Sequence, residues 1–282
     1  MSHSPPLNAD LHCHSVCSDG VLRPSELAAR AHAHGVGLWA LTDHDEVSGL
    51  AEARTKAQEL GLPFIDGIEI SVTWARQTVH IVGLHIDPHN AALNAGLEGI
   101  RTGRLQRARR MADALQALGV PGAYEGALAY AGNPRLVSRT HFARYLVEQG
   151  RCTHLQAAFD RYLGEGKPAY APGDWASLAN AVGWILAAGG RAVIAHPGRY
   201  RYDRLQFDAL FDEFKQLGGE AIEVVTGSHR PDQYGQYAEV ARRYGFLASC
   251  GSDFHSLAES RRDLGSLPPL PPGLTPVWHD WA

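Results

Sequence analysis

The feature that most restricts the fold of this chain is where its chemically active side chains fall. Seven short apolar runs are centred near Leu11, Leu38–Leu41, Ile65–Ile70, Val79–Ile86, Ala192–Ala195, Ile222–Val225 and Leu247–Cys250. Each is too short for a helix and reads as a buried strand. Nearly every run contains, or leads directly into, a histidine or a carboxylate. Between the runs lie helical patterns: one opens at Pro24 and stops by Gly35, and another spans Ser48 to Leu60, with Ser48 as N-cap and Gly61 as C-cap. Two more are expected near 204–217 and 231–244. Such alternation predicts a parallel α/β core, whose functional groups gather at the carboxyl ends of the strands.

Residues 99–189 break the alternation, reading as consecutive helices punctuated by glycine with no strong strand. The expected organisation is therefore a barrel-like core from 1–98 and 190–282, with a helical insertion at 99–189. The proline-rich stretch 267–276 is expected to wrap the surface. At 282 residues and 45% apolar, the chain can bury a large core.

A net charge of −4 argues against a dedicated duplex-DNA binder. No run of about 18 apolar residues suggests a membrane span. The N-terminal stretch lacks a secretory pattern, and Cys13, Cys17, Cys152 and Cys250 form no disulfide or zinc-ribbon framework. These features lead to the expectation of a cytoplasmic protein with reduced thiols and no obligate protein partner.

Histidine is abundant, with 15 residues, and its placement is more telling than its number. Asp10, His12 and His14 alternate across a strand end, so all three can face one side. Asp43, His44 and Asp45 follow Leu38–Leu41. Glu69 lies between Ile68 and Ile70, where an unpaired charge would be costly and a cation would compensate it. His80 lies between Val79 and Ile81, His196 closes the Ala192–Ala195 run, and Asp253 and His255 alternate after Cys250. Imidazole and carboxylate donors without thiolate suit manganese, iron or zinc.

The segments Asp10–Ser15, Ser18–Gly20, Thr42–Asp45, Gly67–Ser71, Ala195–Arg199 and Gly251–His255, with the strand carrying His80, together resemble the polymerase and histidinol phosphatase (PHP) family of the amidohydrolase superfamily. The resemblance spans nearly the whole chain outside the insertion. It implies a distorted (β/α)7 barrel with a centre of two to three divalent metal ions, manganese being the first expectation and iron or zinc the alternatives. His12, His14, Glu69 and Asp253 would hold the first ion. Glu69 would bridge to a second held by His80 and His196, and Asp19, His44 and His255 would hold the third. Asp10 and Asp43 would support these ligands. Some members of the family carry histidine where Asp19 stands, which makes this third site richer in oxygen.

Clustered cations activate water and clamp phosphate oxygens, so the implied reaction is phosphate-ester hydrolysis. Arg135, Arg139, Lys167, Arg199, Ser228 and His229 are candidates for binding a second substrate phosphate, His141 and His229 for donating a proton to the leaving group, and Tyr170 for stacking on a base. The arrangement most resembles stand-alone members that remove the 3′-phosphate of 3′,5′-bisphosphonucleotides, some of which trim short RNA from a 5′-phosphorylated end. The alternatives are a histidinol-phosphate-type monoesterase and a metal-loaded module without activity, whose hallmark, missing ligands, is not met here. Arg101, Arg104, Arg107, Arg109 and Arg110 could track an RNA backbone but read first as a solvated helix surface, as do Arg144, Arg151 and Arg161. His32, His34, His85, His89 and His154 lie off the motifs.

Overall fold

The computed structural model describes residues 7–173 and 175–281. Seven strands lie side by side in chain order: β1 (Ala9–Asp10), β2 (Leu38–Leu41), β3 (Phe64–Trp74), β4 (Gln77–Leu84), β5 (Arg191–Ile194), β6 (Ala221–Thr226) and β7 (Leu247–Gly251). The Leu11 amide donates to the Cys250 carbonyl at 3.0 Å and the Asp253 amide to the His12 carbonyl at 2.8 Å, joining the last strand to the first. The sheet thus curls into a nearly closed, distorted α/β barrel, as the motifs imply. Gly251 permits this closure, because a Cβ there would stand 2.2 Å from the Cβ of His12.

Around the strands run α1 (Pro24–Ala33) and α2 (Leu50–Leu60), and the 27-residue α3 (Ala91–Ala117) leads into the insertion helices α4 (Ala123–Ala129), α5 (Arg139–Glu148) and α6 (Leu155–Ala158). A five-residue π-helical turn at Phe159–Leu163 follows α6. The remaining helices are α7 (Leu178–Ala187), α8 (Arg204–Gln216) and α9 (Pro231–Tyr244). Pro24 opens α1, and Gly61 ends α2 at φ 66°. Gly49, not Ser48, is the N-cap of α2 and makes no side-chain cap bond. Among the described residues no helix is long and apolar enough to cross a membrane. The proline-rich tail returns to the barrel, where the Val277 amide donates to the Ala248 carbonyl at 2.9 Å.

The expectation of a parallel sheet fails at one strand. β4 runs antiparallel to both β3 and β5, while the other pairs are parallel. β3 and β4 form a tight hairpin through Ala75 and Arg76, at φ 44° and 66°. A two-residue hairpin loop needs positive φ at both positions and usually signals itself with Asn or Gly, so Ala-Arg gave no warning. The reversal has a functional effect. The amino-terminal half of β4 lies at the barrel mouth, which explains why His80 sits near the start of its strand rather than after its end.

Two apolar cores are separate. The larger fills the barrel and its helices, and the smaller joins residues between Ala108 and Ala171. Helix α7, expected to belong to the insertion, packs with the barrel through Leu178, Ala181, Val182 and Ile185. The insertion proper is correspondingly shorter than 99–189, and α3 spans both cores. Arg101, Arg104 and Arg107 recur every third residue along α3 and are buried, contrary to the solvated surface expected of them, whereas Arg109 and Arg110 are exposed. Arg104 donates to Asp45 Oδ2 from Nε at 2.8 Å and to Ser71 Oγ at 2.9 Å, and Arg101 donates to the Asp45 carbonyl at 3.1 Å. The helix therefore grips the barrel mouth through charge.

Candidate metal centre

All nine residues proposed as metal ligands converge at the barrel mouth. They form four overlapping groups, within each of which the ligand atoms lie no more than 4.8 Å apart: His12 with His14 and Asp253; His12 with Glu69 and His196; His44 with Glu69 and His80; and His14 with Asp19, His44 and His255. Glu69 is the hub. Its Oε1 is 2.9 Å from His196 Nε2, 3.0 Å from His80 Nδ1 and 3.3 Å from His12 Nε2, and its Oε2 is 2.8 Å from His44 Nδ1 and 3.4 Å from His14 Nε2. Asp253 Oδ1 stands 3.4 Å from His14 Nε2, and Asp19 Oδ1 stands 3.3 Å from His255 Nε2.

The backbone bends sharply to make this cluster. His196 and Asp253 have φ of 28° and 53°, and Asp45, next to His44, has φ of 52°. Non-glycine residues in this region are strained and persist where the surroundings hold them. Asp43 fixes the loop that follows His14, accepting from the Ser15 amide at 2.7 Å and the Ser15 hydroxyl at 2.6 Å, and from Ser18 Oγ. Asp10 accepts from the Ser252 and Gly265 amides, and burial pushes its carboxyl up to about 6. Both expected supporting residues are thus structural braces behind the cluster.

The donor set fits divalent cations. Among the described residues, eight buried side-chain polar atoms lack a hydrogen-bond partner, and five belong to this cluster: His14 Nδ1, Asp19 Oδ1, His44 Nδ1, Glu69 Oε2 and His196 Nδ1. Orphaned polar atoms are costly and should be rare. Asp19 Oδ1, Glu69 Oε2 and His44 Nδ1 face the other donors, where a cation would satisfy them, whereas His14 Nδ1 and His196 Nδ1 lie on the far side of rings whose Nε2 atoms face the cluster. Burial lowers His14 and His196 to about 3, so both imidazoles are neutral and have lone pairs to give. Although burial opposes ionisation, the surrounding histidines hold Asp19, Glu69 and Asp253 well below the usual carboxylate range. Against the same burial, Asp19 raises His255 to about 9, and Glu223 with Glu69 raises His12. A cation at those positions competes with protons.

Glu223 was missed in the sequence. It is buried on β6, accepting from His12 Nδ1 at 2.8 Å and, through its other oxygen, from the His196 amide at 2.6 Å. A histidine ligand commonly has its far nitrogen fixed by such a carboxylate. The signal was the same as for Glu69, a lone acidic residue inside the apolar run Ile222–Val225.

The substrate-binding candidates divide. Arg199 and Ser228 line a 460 Å³ cleft beside the cluster, and both donate to Asp253 Oδ2, at 3.1 and 2.7 Å. Arg139, at the first turn of α5, lies 5.8 Å from the ring centres of both Phe159 and Tyr170. Burial lowers its pKa, with Arg199 and Arg104 close enough to add repulsion, and no carboxylate pairs with it among the described residues. Arg107 is similar: buried over Trp175, it is lowered to about 9 by burial and then by Arg139, and among the described residues it donates to the Ala171 carbonyl.

Three expectations are corrected. Arg135 is exposed and spends its guanidinium on Glu98. His229 is no proton donor: Nδ1 donates to the Val224 carbonyl, Nε2 accepts from the Gly198 amide, and the ring stacks on Tyr237. Arg144, expected on a solvated face, is buried and paired with Glu259. His141 accepts from the Ser138 amide at Nδ1, and among the described residues its buried Nε2–H has no partner. Lys167 is exposed.

Comparison with known proteins agrees with this geometry. A 3′,5′-nucleoside bisphosphate phosphatase of Chromobacterium violaceum is 51% identical over 273 residues, covering 97% of this chain and 96% of that protein. A 5′-3′ exoribonuclease of Haemophilus influenzae is 42% identical over 270 residues, covering 96% and 97%. The solved structure of an amidohydrolase from Chromobacterium violaceum, with bound sulfate and no metal, superposes with a TM-score of 0.94 at 50% identity, covering 97% of this chain and 95% of that one. A candidate metal-dependent phosphoesterase from Bifidobacterium adolescentis superposes with a TM-score of 0.81 at 29% identity, covering 97% and 94%. The PHP domain profile matches residues 10–224, and with the barrel, the His/carboxylate cluster and these relatives in agreement, the chain belongs to the PHP domain family.

Proposed function

We propose that this chain is a phosphoesterase that removes the 3′-phosphate of 3′,5′-bisphosphonucleotides, leaving nucleoside 5′-monophosphates, and that also trims short 5′-phosphorylated RNA. The observation that carries this reading is the pairing of two features. A buried cluster of six imidazoles and three carboxylates opens into a cleft, and Arg139, which has no carboxylate partner among the described residues, lies 5.8 Å from the ring centres of Phe159 and Tyr170 and close to Arg104 and Arg199. The two relatives above, named for a nucleoside bisphosphate and for 5′-3′ attack on RNA, support the same substrate class.

On this reading the nine residues hold three cations, manganese first among them. When bound, these supply Lewis acidity to a phosphate and a water of lowered pKa. The chain's own residues do the rest. Glu69, Asp19 and Asp253 supply the negative charge that retains the cations. Glu223 keeps the His12 proton on Nδ1, so that Nε2 faces the cluster. Arg139, assisted by Arg107, takes the 5′-phosphate, and Tyr170 and Phe159 confine it. Arg199 and Ser228 lean on Asp253 and border the path of the scissile phosphate. The protein acts in the cytoplasm on small nucleotides and RNA ends, without a membrane, duplex DNA or an obligate protein partner.

One panel tests the proposal: 3′,5′-bisphosphate, 3′-monophosphate, 5′-monophosphate and histidinol phosphate, each with Mn²⁺ and with chelator, for the wild type and Arg139→Ala. The bisphosphate should be preferred, chelator should abolish turnover, and Arg139→Ala should raise KM for the bisphosphate roughly 10- to 100-fold, the loss of a charge-assisted contact worth about 1.5–3 kcal/mol. Equal turnover of the bisphosphate and the 3′-monophosphate by the wild type would refute two-phosphate recognition.

A further inference from the structure

The helical insertion does more than border the cleft. Asp19 lies in the barrel, yet the groups that fix it come from the insertion. Its Oδ2 accepts from Ser138 Oγ and from Thr140 Oγ1, both at 3.1 Å, and its backbone carbonyl accepts from Arg144 at 2.7 Å. With Oδ2 occupied in this way, Oδ1 is turned towards His255 and His44 and has no hydrogen-bond partner among the described residues. Arg144 makes two bonds of 2.8 Å to Glu259, in the turn whose Ser260 hydroxyl accepts from the His255 amide. One helix, α5, thereby braces the loops that carry two of the four donors in the group His14, Asp19, His44 and His255.

We infer that Ser138, Thr140 and Arg144 are positioning residues for the third cation, so that this site is completed only when the insertion is docked on the barrel. The inference rests on the three-cation reading above. A carboxylate left free to rotate about its χ2 would point Oδ1 elsewhere for much of the time, and the two hydroxyls remove that freedom. The same first turn of α5 carries Arg139, next to Thr140 in sequence. Anything that seats this turn, a phosphate on Arg139 included, also sets Asp19. By linkage, the third cation and the substrate phosphate should then strengthen each other's binding.

The test is Mn²⁺ titration of the full-length protein after chelation and dialysis, followed by calorimetry and by the electron paramagnetic resonance of free Mn²⁺. Thr140→Val keeps shape and removes one of the two hydroxyls, and Thr140→Ser restores it. Three equivalents are expected for the wild type. In Thr140→Val one of the three should weaken about tenfold, the lower end for loss of a group that orients a metal ligand, with the other two within twofold, and Thr140→Ser should recover the wild-type value. Three equivalents in the wild type with all three affinities unchanged in Thr140→Val would overturn the positioning role alone. Two or fewer in the wild type would overturn the three-cation reading and the positioning role with it. An unchanged melting temperature of the metal-free variant separates positioning from misfolding.

Discussion

Replacing Glu223 with Gln tests whether the histidine ligands depend on a carboxylate outside the ligand set. The side chain is buried and its two oxygens accept from two donors, His12 Nδ1–H and the His196 amide. Glutamine keeps the volume but has only one acceptor oxygen. If that oxygen stays with the His196 amide, the new NH2 group faces His12 Nδ1 and favours the tautomer protonated at Nε2, putting a proton where the lone pair is needed. If it turns to His12 instead, the NH2 group opposes the His196 amide at a distance that is now 2.6 Å. Either arrangement loses one hydrogen bond to a charged acceptor, about 1.5–3 kcal/mol. At about 1.4 kcal/mol per tenfold, this corresponds to roughly 10- to 100-fold weaker cation binding, the range found when a group orienting a metal ligand is removed. The assay is Mn²⁺ titration of chelated protein, with the thermal midpoint of the metal-free form measured alongside. Mn²⁺ affinities within twofold of wild type in a normally folded variant would refute the tautomer argument.

Two further outcomes are expected. Arg135→Ala should leave KM for the bisphosphate within about twofold, because that guanidinium is exposed and satisfied by Glu98; a large rise would return Arg135 to the phosphate site. His229 is held to about 4 by burial, below the roughly 6.5 of an unfolded histidine, so the unfolded chain binds the extra proton between these values. Its stabilising contribution is complete above about pH 6.5 and is lost as pH falls towards 4, about 2 kcal/mol of it by pH 5. His229→Phe, which keeps the stack on Tyr237, should shrink the difference in urea stability between pH 7.5 and pH 5 by that order; an unchanged difference would show that His229 is not buried neutral.

The metal centre was legible because its donors sit in or beside strands, and a strand end makes one polar residue stand out against apolar neighbours. Asp10, His12, His14, Glu69, His196, Asp253 and His255 all show that contrast. Glu223 showed it too, but its run, Ile222–Val225, carried no further motif to draw attention to it. The arginines were less legible because helix periodicity gives no direction. Arg101, Arg104 and Arg107 share one face of α3, but only the barrel decides that this face is inward. Arg139 and Arg135 are equivalent in the sequence, and what separates them is a distant carboxylate, Glu98, which pairs with one and not the other. The reversal of β4 was hidden because its hairpin turn uses Ala75 and Arg76, residues that rarely mark such a turn.

That hairpin divides the donor set by its distance along the chain. Glu69 and His80 are brought together by a two-residue turn, a closure that costs little entropy. His12 and His14 meet Asp253 and His255 only when β1 joins β7, across almost the entire chain. Local contacts form faster than distant ones, so this topology predicts that the Glu69–His80 pair forms before the ring shuts. Of the four ligand groups, only the one uniting these two with His44 draws on a single stretch near the amino terminus. On that prediction the centre assembles around Glu69, His80 and His44, and closure of the ring brings the remaining donors to it.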